Sequence, residues 1–308
     1  MVPLPAVNRW NLSSLVAFWS RNRSWRSDVT QLHTVVFPVA GRGTRLLPIT
    51  KSVPKELLPV YDKPVLQFAV EEALDAGAKR LIFVTHASKT AIPNYLKPDN
   101  ALKAALDGGG KTELLRALDD VSLDNTVEVI FVEQDSPLGL GHAVLLSAPH
   151  VTGSAFGVIL PDDVILGTPC LTEMAAGYPG GHMIAAMKVS ADDVSKYGIF
   201  DAVADGDQHQ IFRANGLVEK PDSETAPSQL AAVGRYILDI CVFDALRTLA
   251  PGAGGEYQLT DAIAADVGRV ELNGFAFSGS RYDCGNHAGL LQAANARAAQ
   301  VGQALVAE

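Results

Sequence analysis

The chain has 308 residues, 48% of them hydrophobic and 19% charged, enough apolar surface for one large domain or two intimate ones. Its formal net charge of −9 and pI near 5.3 argue against a nucleic-acid binder, which would carry a basic face, yet leave room for a local cationic pocket. Three cysteines, Cys170, Cys241 and Cys284, lie far apart without metal-ligand spacing, and no apolar run reaches the length of a membrane span, so a reduced, cytoplasmic protein with no membrane partner is expected.

Residues 1–32 are unlike the rest. All three tryptophans lie here, and Arg9, Arg21, Arg23 and Arg26 precede the first acid, Asp28. The apolar patch from Leu15 to Trp19 is short for a signal sequence and lacks a convincing small-residue cleavage site. A disordered N-terminal extension over 1–32 is expected, with a transit-like or membrane-surface segment as the alternative. Residues 33–308 are expected to form one domain.

The apolar, β-branched run over 34–40 predicts a buried strand. It breaks at Gly41-Arg42-Gly43, after which Arg45, Lys51 and Lys55 follow before the next acid, Glu56. Glycines let backbone N–H groups approach an anion and the cations add charge, so this is a place to hold phosphates. Leu46 occupies the third glycine position of the dinucleotide fingerprint, and no Gly-Lys-Ser/Thr follows, so neither a Rossmann fingerprint nor a Walker A loop is present.

Residues 64–76 read as a helix with Glu71, Glu72 and Asp75 toward water, and 80–86 as a second buried strand. A helix begins near Ser88, and two short helices flank Gly108-Gly109-Gly110. Strands over 127–132 and 156–160 bracket a helix opened by Leu138-Gly139-Leu140-Gly141-His142. Further strands are expected at 182–189, 216–218, 232–238 and 270–277, and helices at 241–249, 257–266 and from Asn286 to about Gln300. Strands alternating with helices predict a Rossmann-like α/β fold, a mixed, mostly parallel sheet with helices on both faces. Ligands of such sheets sit at the carboxyl ends of strands, so Gly41, Gln134 and Asp162 should converge on one crevice.

The ordered pieces AGRGTRLLPITKSVPKELLPV, LGLGHAV, LPDDVIL, YGIF, GLVEKP, VGRYIL, GEYQLTDAI and YDCGN lie within residues 33 to 297. In that order and spacing they resemble the sugar-1-phosphate nucleotidylyltransferases, and within them the bacterial UTP–glucose-1-phosphate uridylyltransferases. Thymidylyl-transferring relatives typically have Ser-Lys-Gln where this chain has Val-Pro-Lys-Glu, and Leu-Gly-Asp-Asn where it has Leu-Pro-Asp-Asp. Tyr61-Asp62-Lys63-Pro64 looks closer to those relatives, and Arg42 departs from the usual pattern. A thymidylyltransferase, another sugar-1-phosphate nucleotidylyltransferase, or a non-catalytic sugar-nucleotide-binding regulator therefore stand as alternatives.

The resemblance implies a nucleotide-diphospho-sugar transferase fold, UTP and glucose-1-phosphate as partners, Mg²⁺ as cofactor and a dimer or tetramer. It implies Arg45 and Lys55 as catalytic cations, Asp162 and Asp283 as metal ligands, and Gly198, Glu219 and Lys220 against the sugar phosphate. Nucleotide contacts fall to Ala40, Gly41, Gly43, Gln134, Gly139 and Gly141. The residue chemistry agrees in type: arginine forks onto phosphate, lysine is a point charge, and carboxylates suit a hard cation. Asp163, adjacent to Asp162, should point elsewhere. Asp283 has the alternative role of capping the last helix. His142 is expected to be structural, since an ionised phosphate nucleophile has no proton to remove.

Overall fold

The computed structural model describes residues 32–202 and 210–302. Apart from Leu32, the expected extension over 1–32 lies outside them. In chain order the first elements are β1 (Thr34–Pro38), the hairpin β2 (Pro59–Val60) and β3 (Lys63–Pro64), α1 (Val65–Asp75) and β4 (Arg80–Thr85). Then come α2 (Ala91–Leu96), α3 (Asn100–Gly108), α4 (Thr112–Asp120), β5 (Glu128–Glu133), α5 (Leu140–Leu146), β6 (Ala155–Ile159) and β7 (Asp163–Leu166). The second half adds α6 (Cys170–Gly177), β8 (His182–Lys188), β9 (Gly198–Asp201), β10 (Ile211–Ala214), β11 (Gly216–Glu219) and β12 (Leu230–Asp239). It closes with α7 (Val242–Thr248), α8 (Leu259–Asp266), β13 (Leu272–Ala276), β14 (Ser280–Asp283) and α9 (His287–Gln300).

The central sheet has the order β10-β13-β8-β12-β6-β1-β4-β5. β6, β1, β4 and β5 pair in parallel, and β13 pairs in parallel with β8. β12 runs against both β6 and β8, and β10 against β13. β9 and β11 form an antiparallel pair joined to β12 at Ala231–Ile199.

The period of two in each strand explains the layers. Val36, Ile82, Val84, Phe156 and Val158 face one core, which α5, α7 and α8 cover with Ala143, Val144, Phe243, Leu246 and Ile263. Val35, Phe37, Leu81, Phe83 and Ile159 face the other, covered by α1 and α6 with Leu66, Val70, Leu171 and Met174. A strand apolar on both faces belongs in the middle of such a sandwich, which is why TVVF is fully buried. Phe37 stacks on Phe83 at 4.7 Å, and truncating either to alanine would cost about 3–5 kcal/mol. Leu32 packs over Gly157, where a Cβ would lie 3.1 Å from its Cδ2.

Glu72 corrects one expectation. It faces the core rather than water, because fully buried Arg235 meets it bidentately, Nε–Oε1 at 2.9 Å and Nη2–Oε2 at 2.8 Å. The same guanidinium donates to the carbonyls of Leu160 and Gly234, and Leu171 N–H donates to Glu72. This buried pair fixes the end of β6 just before Asp162. Removing one partner would strand a buried charge at a cost of about 3–5 kcal/mol.

Candidate functional site

Beyond β1 the chain winds through three short 3₁₀ turns, at Thr44–Leu46, Ile49–Lys51 and Lys55–Leu57. Of the two glycines in Gly41-Arg42-Gly43, only Gly43 is left-handed, at φ +67°, with Thr50 Oγ1 donating to its carbonyl at 2.8 Å. The loop is anchored from below. Lys89 Nζ donates to Val39 O at 2.6 Å and to both oxygens of buried Glu56, at 3.0 and 2.9 Å. With Glu56 held inward, its neighbour Lys55 turns the other way, toward Asp162.

Lys55 Nζ lies 2.5 Å from Asp162 Oδ2, and Arg45 Nη1 lies 3.8 Å from Asp283 Oδ2. A Cβ built on Gly285 would sit 2.7 Å from Arg45 Nη2, 2.9 Å from Asp283 Oδ1 and 3.1 Å from Asp162 Oδ2, so all three groups converge on one point. Cys284 N–H donates to Asp162 O at 2.7 Å and ties the two acidic loops together. Asn286, not Asp283, caps α9 by accepting from Gly289 N–H at 2.9 Å, which leaves the Asp283 carboxylate to the cleft. Burial pushes the Asp162 carboxyl up, but the charge and hydrogen bond of Lys55 outweigh it and hold it below its ordinary value. Burial pulls Lys55 down, and Asp162 with Glu56 more than restores it. Both groups are therefore charged at neutral pH.

Two adjoining cavities, both lined by Leu140, flank this centre. The first, about 230 Å³, is lined by Ala40, Gly41, Arg42, His86, Gln134 and Gly139, among others. Gln134 is nearly buried, its Nε2 3.0 Å from His142 Nδ1 and 3.3 Å from Gly139 O. Burial lowers the His142 pKa, so the neutral ring accepts through Nδ1, the structural part expected of it. Gly139 lines this cavity, and packing against residues 256–257 also requires glycine at both 139 and 141. A Cβ on Gly139 would meet Glu256 Cβ at 2.8 Å, and one on Gly141 would meet Tyr257 O at 2.7 Å. Gly141 is buried and its N–H is already given to Tyr257 O at 2.8 Å, so it is a packing glycine and does not face the cavity.

The second cavity, about 320 Å³, holds Arg45, Asp162, Gly198, Glu219, Lys220 and Asp283 on its walls. The expected single crevice is thus two chambers: Gly41 and Gln134 line one, Asp162 the other. Lys220 has φ +44°, a left-handed conformation strained for a non-glycine residue and held by Lys220 N–H donating to Tyr197 O at 3.0 Å. Asp163 points away from Asp162's partners, as alternation requires. It accepts from Gly234 N–H at 2.9 Å and from Arg281, whose Nη1 donates to Tyr197 OH at 3.0 Å. Arg281 thereby joins the acidic loop to the wall carrying Gly198. Sequence reasoning missed Arg281, Glu56, Lys89 and Thr260, whose partners are remote in the chain.

The convergent carboxylate oxygens of Asp162 and Asp283 are hard donors and fit a small divalent cation that also takes phosphate oxygens. Elsewhere His182, Cys241 and Asp266 cluster at the start of β8. There Asp239 N–H donates to His182 Nδ1 at 3.3 Å, which leaves the ring proton on Nε2 facing Asp266 Oδ2 at 3.4 Å. That tautomer has no lone pair toward the cluster and suits hydrogen bonding rather than metal ligation.

A Rossmann-like sheet with two adjoining chambers and a cationic loop beside acidic strand ends has the architecture of a nucleotide-binding α/β enzyme. Residues 36–300 match the nucleotidyl transferase family, and the chain belongs to it. It is 37% identical over 266 residues to a UTP–glucose-1-phosphate uridylyltransferase of Bacillus subtilis, covering 85% of this chain and 88% of that one. Among solved structures, a UDP-glucose pyrophosphorylase complexed with UDP-glucose aligns at TM-score 0.78 and 34% identity, over 87% of this chain and 99% of that one. The UTP-bound enzyme of Acinetobacter baumannii aligns at TM-score 0.80 and 35% identity, over 87% and 94%. The protein is a nucleotidyltransferase. No helix among the described residues is long and apolar enough to cross a membrane.

Proposed function

We propose that the protein transfers UMP from UTP to glucose-1-phosphate, releasing pyrophosphate and forming UDP-glucose. The observation that carries this reading is the convergence of Arg45, Lys55, Asp162 and Asp283 beside two chambers, one suited to a base and the other to a sugar phosphate. The relatives named above for UTP and UDP-glucose support the assignment of both substrates.

A phosphate oxygen of glucose-1-phosphate attacks the α-phosphorus of UTP, the bond to the β-phosphate breaks, and pyrophosphate leaves in line with the attack. No proton moves and no covalent enzyme intermediate is needed, so the protein's task is to align two polyanions and neutralise their charge. Arg45, mostly exposed and held only loosely by Asp283, is free to swing its fork onto phosphate oxygens. Lys55 meets the α-phosphate as a point charge and exchanges Asp162 for it. Glu219 accepts from sugar hydroxyls and Lys220 reaches the sugar's phosphate. Ala40, Gly41 and Gly43 supply backbone to the triphosphate, and Gln134 and Gly139 meet the uracil and ribose. Asp162 and Asp283 would hold Mg²⁺, which when bound adds positive charge against the phosphates.

A panel of nucleoside triphosphates against sugar-1-phosphates, scored by pyrophosphate release, tests the reading. UTP with glucose-1-phosphate should be the preferred pair. A clear preference for dTTP would replace the uridylyl assignment with a thymidylyl one.

A further inference from the structure

The segment from Glu256 to Thr260 touches both chambers. Its first half is clamped to the loop carrying Gly139 and Gly141: Tyr257 N–H donates to Leu138 O at 2.8 Å, and Gly141 N–H donates to Tyr257 O at 2.8 Å. Its second half, Gln258, Leu259 and Thr260, lines the sugar-side chamber. Thr260, nearly buried at the start of α8, donates Oγ1–H to Glu219 Oε2 at 2.9 Å. Its methyl fills the space beside Gly198, where a Cβ would lie 2.9 Å from Thr260 Cγ2 and 3.4 Å from Glu219 Oε2. Gly198 and Glu219 are register partners across β9 and β11, so one side chain braces both.

The other carboxylate oxygen, Glu219 Oε1, lies 3.0 Å from Lys220 Nζ. Both oxygens are therefore engaged, but by unequal partners. The Lys220 side chain is 57% exposed, whereas Thr260 is nearly buried in the fold. A ligand that carries a phosphate draws Lys220 away and leaves Oε1 to accept from a sugar hydroxyl, while Oε2 stays tied. A sugar lacking the phosphate offers nothing to break the Lys220–Glu219 pair.

We propose that Thr260 is a positioning residue for the reaction: it holds Glu219 Oε2 so that Oε1 faces the sugar of the incoming sugar-1-phosphate, from a segment whose other end closes the nucleotide loop. This rests on the reading of the second chamber as the sugar-phosphate site. The wild-type rate with UTP and glucose-1-phosphate tests that reading separately.

The test compares Thr260→Val, which keeps shape and removes the hydroxyl, with Thr260→Ser, which keeps the hydroxyl. In the full-length enzyme Thr260→Val should raise KM for glucose-1-phosphate about tenfold, as expected for one lost hydrogen bond to a charged group, with KM for UTP and the melting temperature near wild type. Thr260→Ser should recover most of that loss. In a Glu219→Gln background Thr260→Val should add little. An unchanged KM for glucose-1-phosphate in Thr260→Val would overturn the proposal. So would an equal rise in both KM values with a lowered melting temperature, or a serine variant as impaired as the valine one.

Discussion

Gly285→Ala is the most discriminating single substitution at the charged centre. Residue 285 is outside the left-handed region, so alanine meets no backbone strain. The added methyl instead lands where Arg45 Nη2, Asp283 Oδ1 and Asp162 Oδ2 meet, at 2.7, 2.9 and 3.1 Å, all inside ordinary van der Waals contact. Arg45 is the free end of a side chain 64% exposed and moves at little cost, whereas Asp283 must give up part of its hydrogen bond from Gly285 N–H. We therefore expect a stability loss of only about 1 kcal/mol, the worth of one hydrogen bond. Turnover should fall much further, because the methyl excludes oxygens from the point where charge must be stabilised. Loss of one such electrostatic contact typically costs about 10²–10³ in kcat, or roughly 3–4 kcal/mol of barrier. Pyrophosphate release under saturating substrates, beside a thermal melt, reads both quantities. Turnover within about threefold of wild type, in a folded variant, would show that catalysis does not use this point.

Gly139→Ala should be worse for the fold. Its φ of +96° and the 2.8 Å approach to Glu256 Cβ together predict a loss of about 2–4 kcal/mol by denaturant unfolding, with a weaker KM for UTP. Arg42 is exposed on the nucleotide chamber, and no carboxylate of the described residues lies within ion-pair distance of it. Arg42→Ala should raise KM for UTP about three- to tenfold at low salt and leave KM for glucose-1-phosphate unchanged, the difference fading as salt rises. Arg297 clasps Asp62 at 2.9 and 2.8 Å, joining α9 to the β2–β3 hairpin, and this hydrogen bonding holds the Asp62 carboxyl below its ordinary pKa. A depressed carboxylate stabilises the fold above its unfolded pKa and loses that effect as pH falls through the folded value. Arg297→Met should thus cost about 0.5–1 kcal/mol near pH 7, after allowing for solvent screening, and the gap to wild type should close below about pH 4.

Much of the fold was legible because its signals are local. An apolar β-branched run such as TVVF, stopped by glycines, reads as a strand buried on both faces, and those glycines mark the exit into a ligand loop. What was not legible depends on partners remote in the chain. Glu72 sits on a helix stripe that reads as polar and solvated, and only Arg235, 163 residues later, makes its burial tolerable. Asp163 and Arg281, and Glu56 with Lys89, are similar: each acid or base alone looks like surface charge. Gly139 and Gly141 stand out in the sequence, but the chain at Glu256 and Tyr257 that packs against them is remote from them and leaves no local signal. The reversed direction of β12 also leaves no mark in its own sequence, since a strand between two core layers is apolar whichever way it runs.

The central claim is that one protein site holds both anions at once and joins them. Incubating wild-type enzyme with UTP, glucose-1-phosphate and Mg²⁺, and following phosphorus resonances, measures this directly. UDP-glucose and pyrophosphate should appear in equal amounts, only when both substrates are present, and the signal should all but vanish in Arg45→Ala. Cleavage of UTP without glucose-1-phosphate, or product formation undiminished in Arg45→Ala, would contradict it.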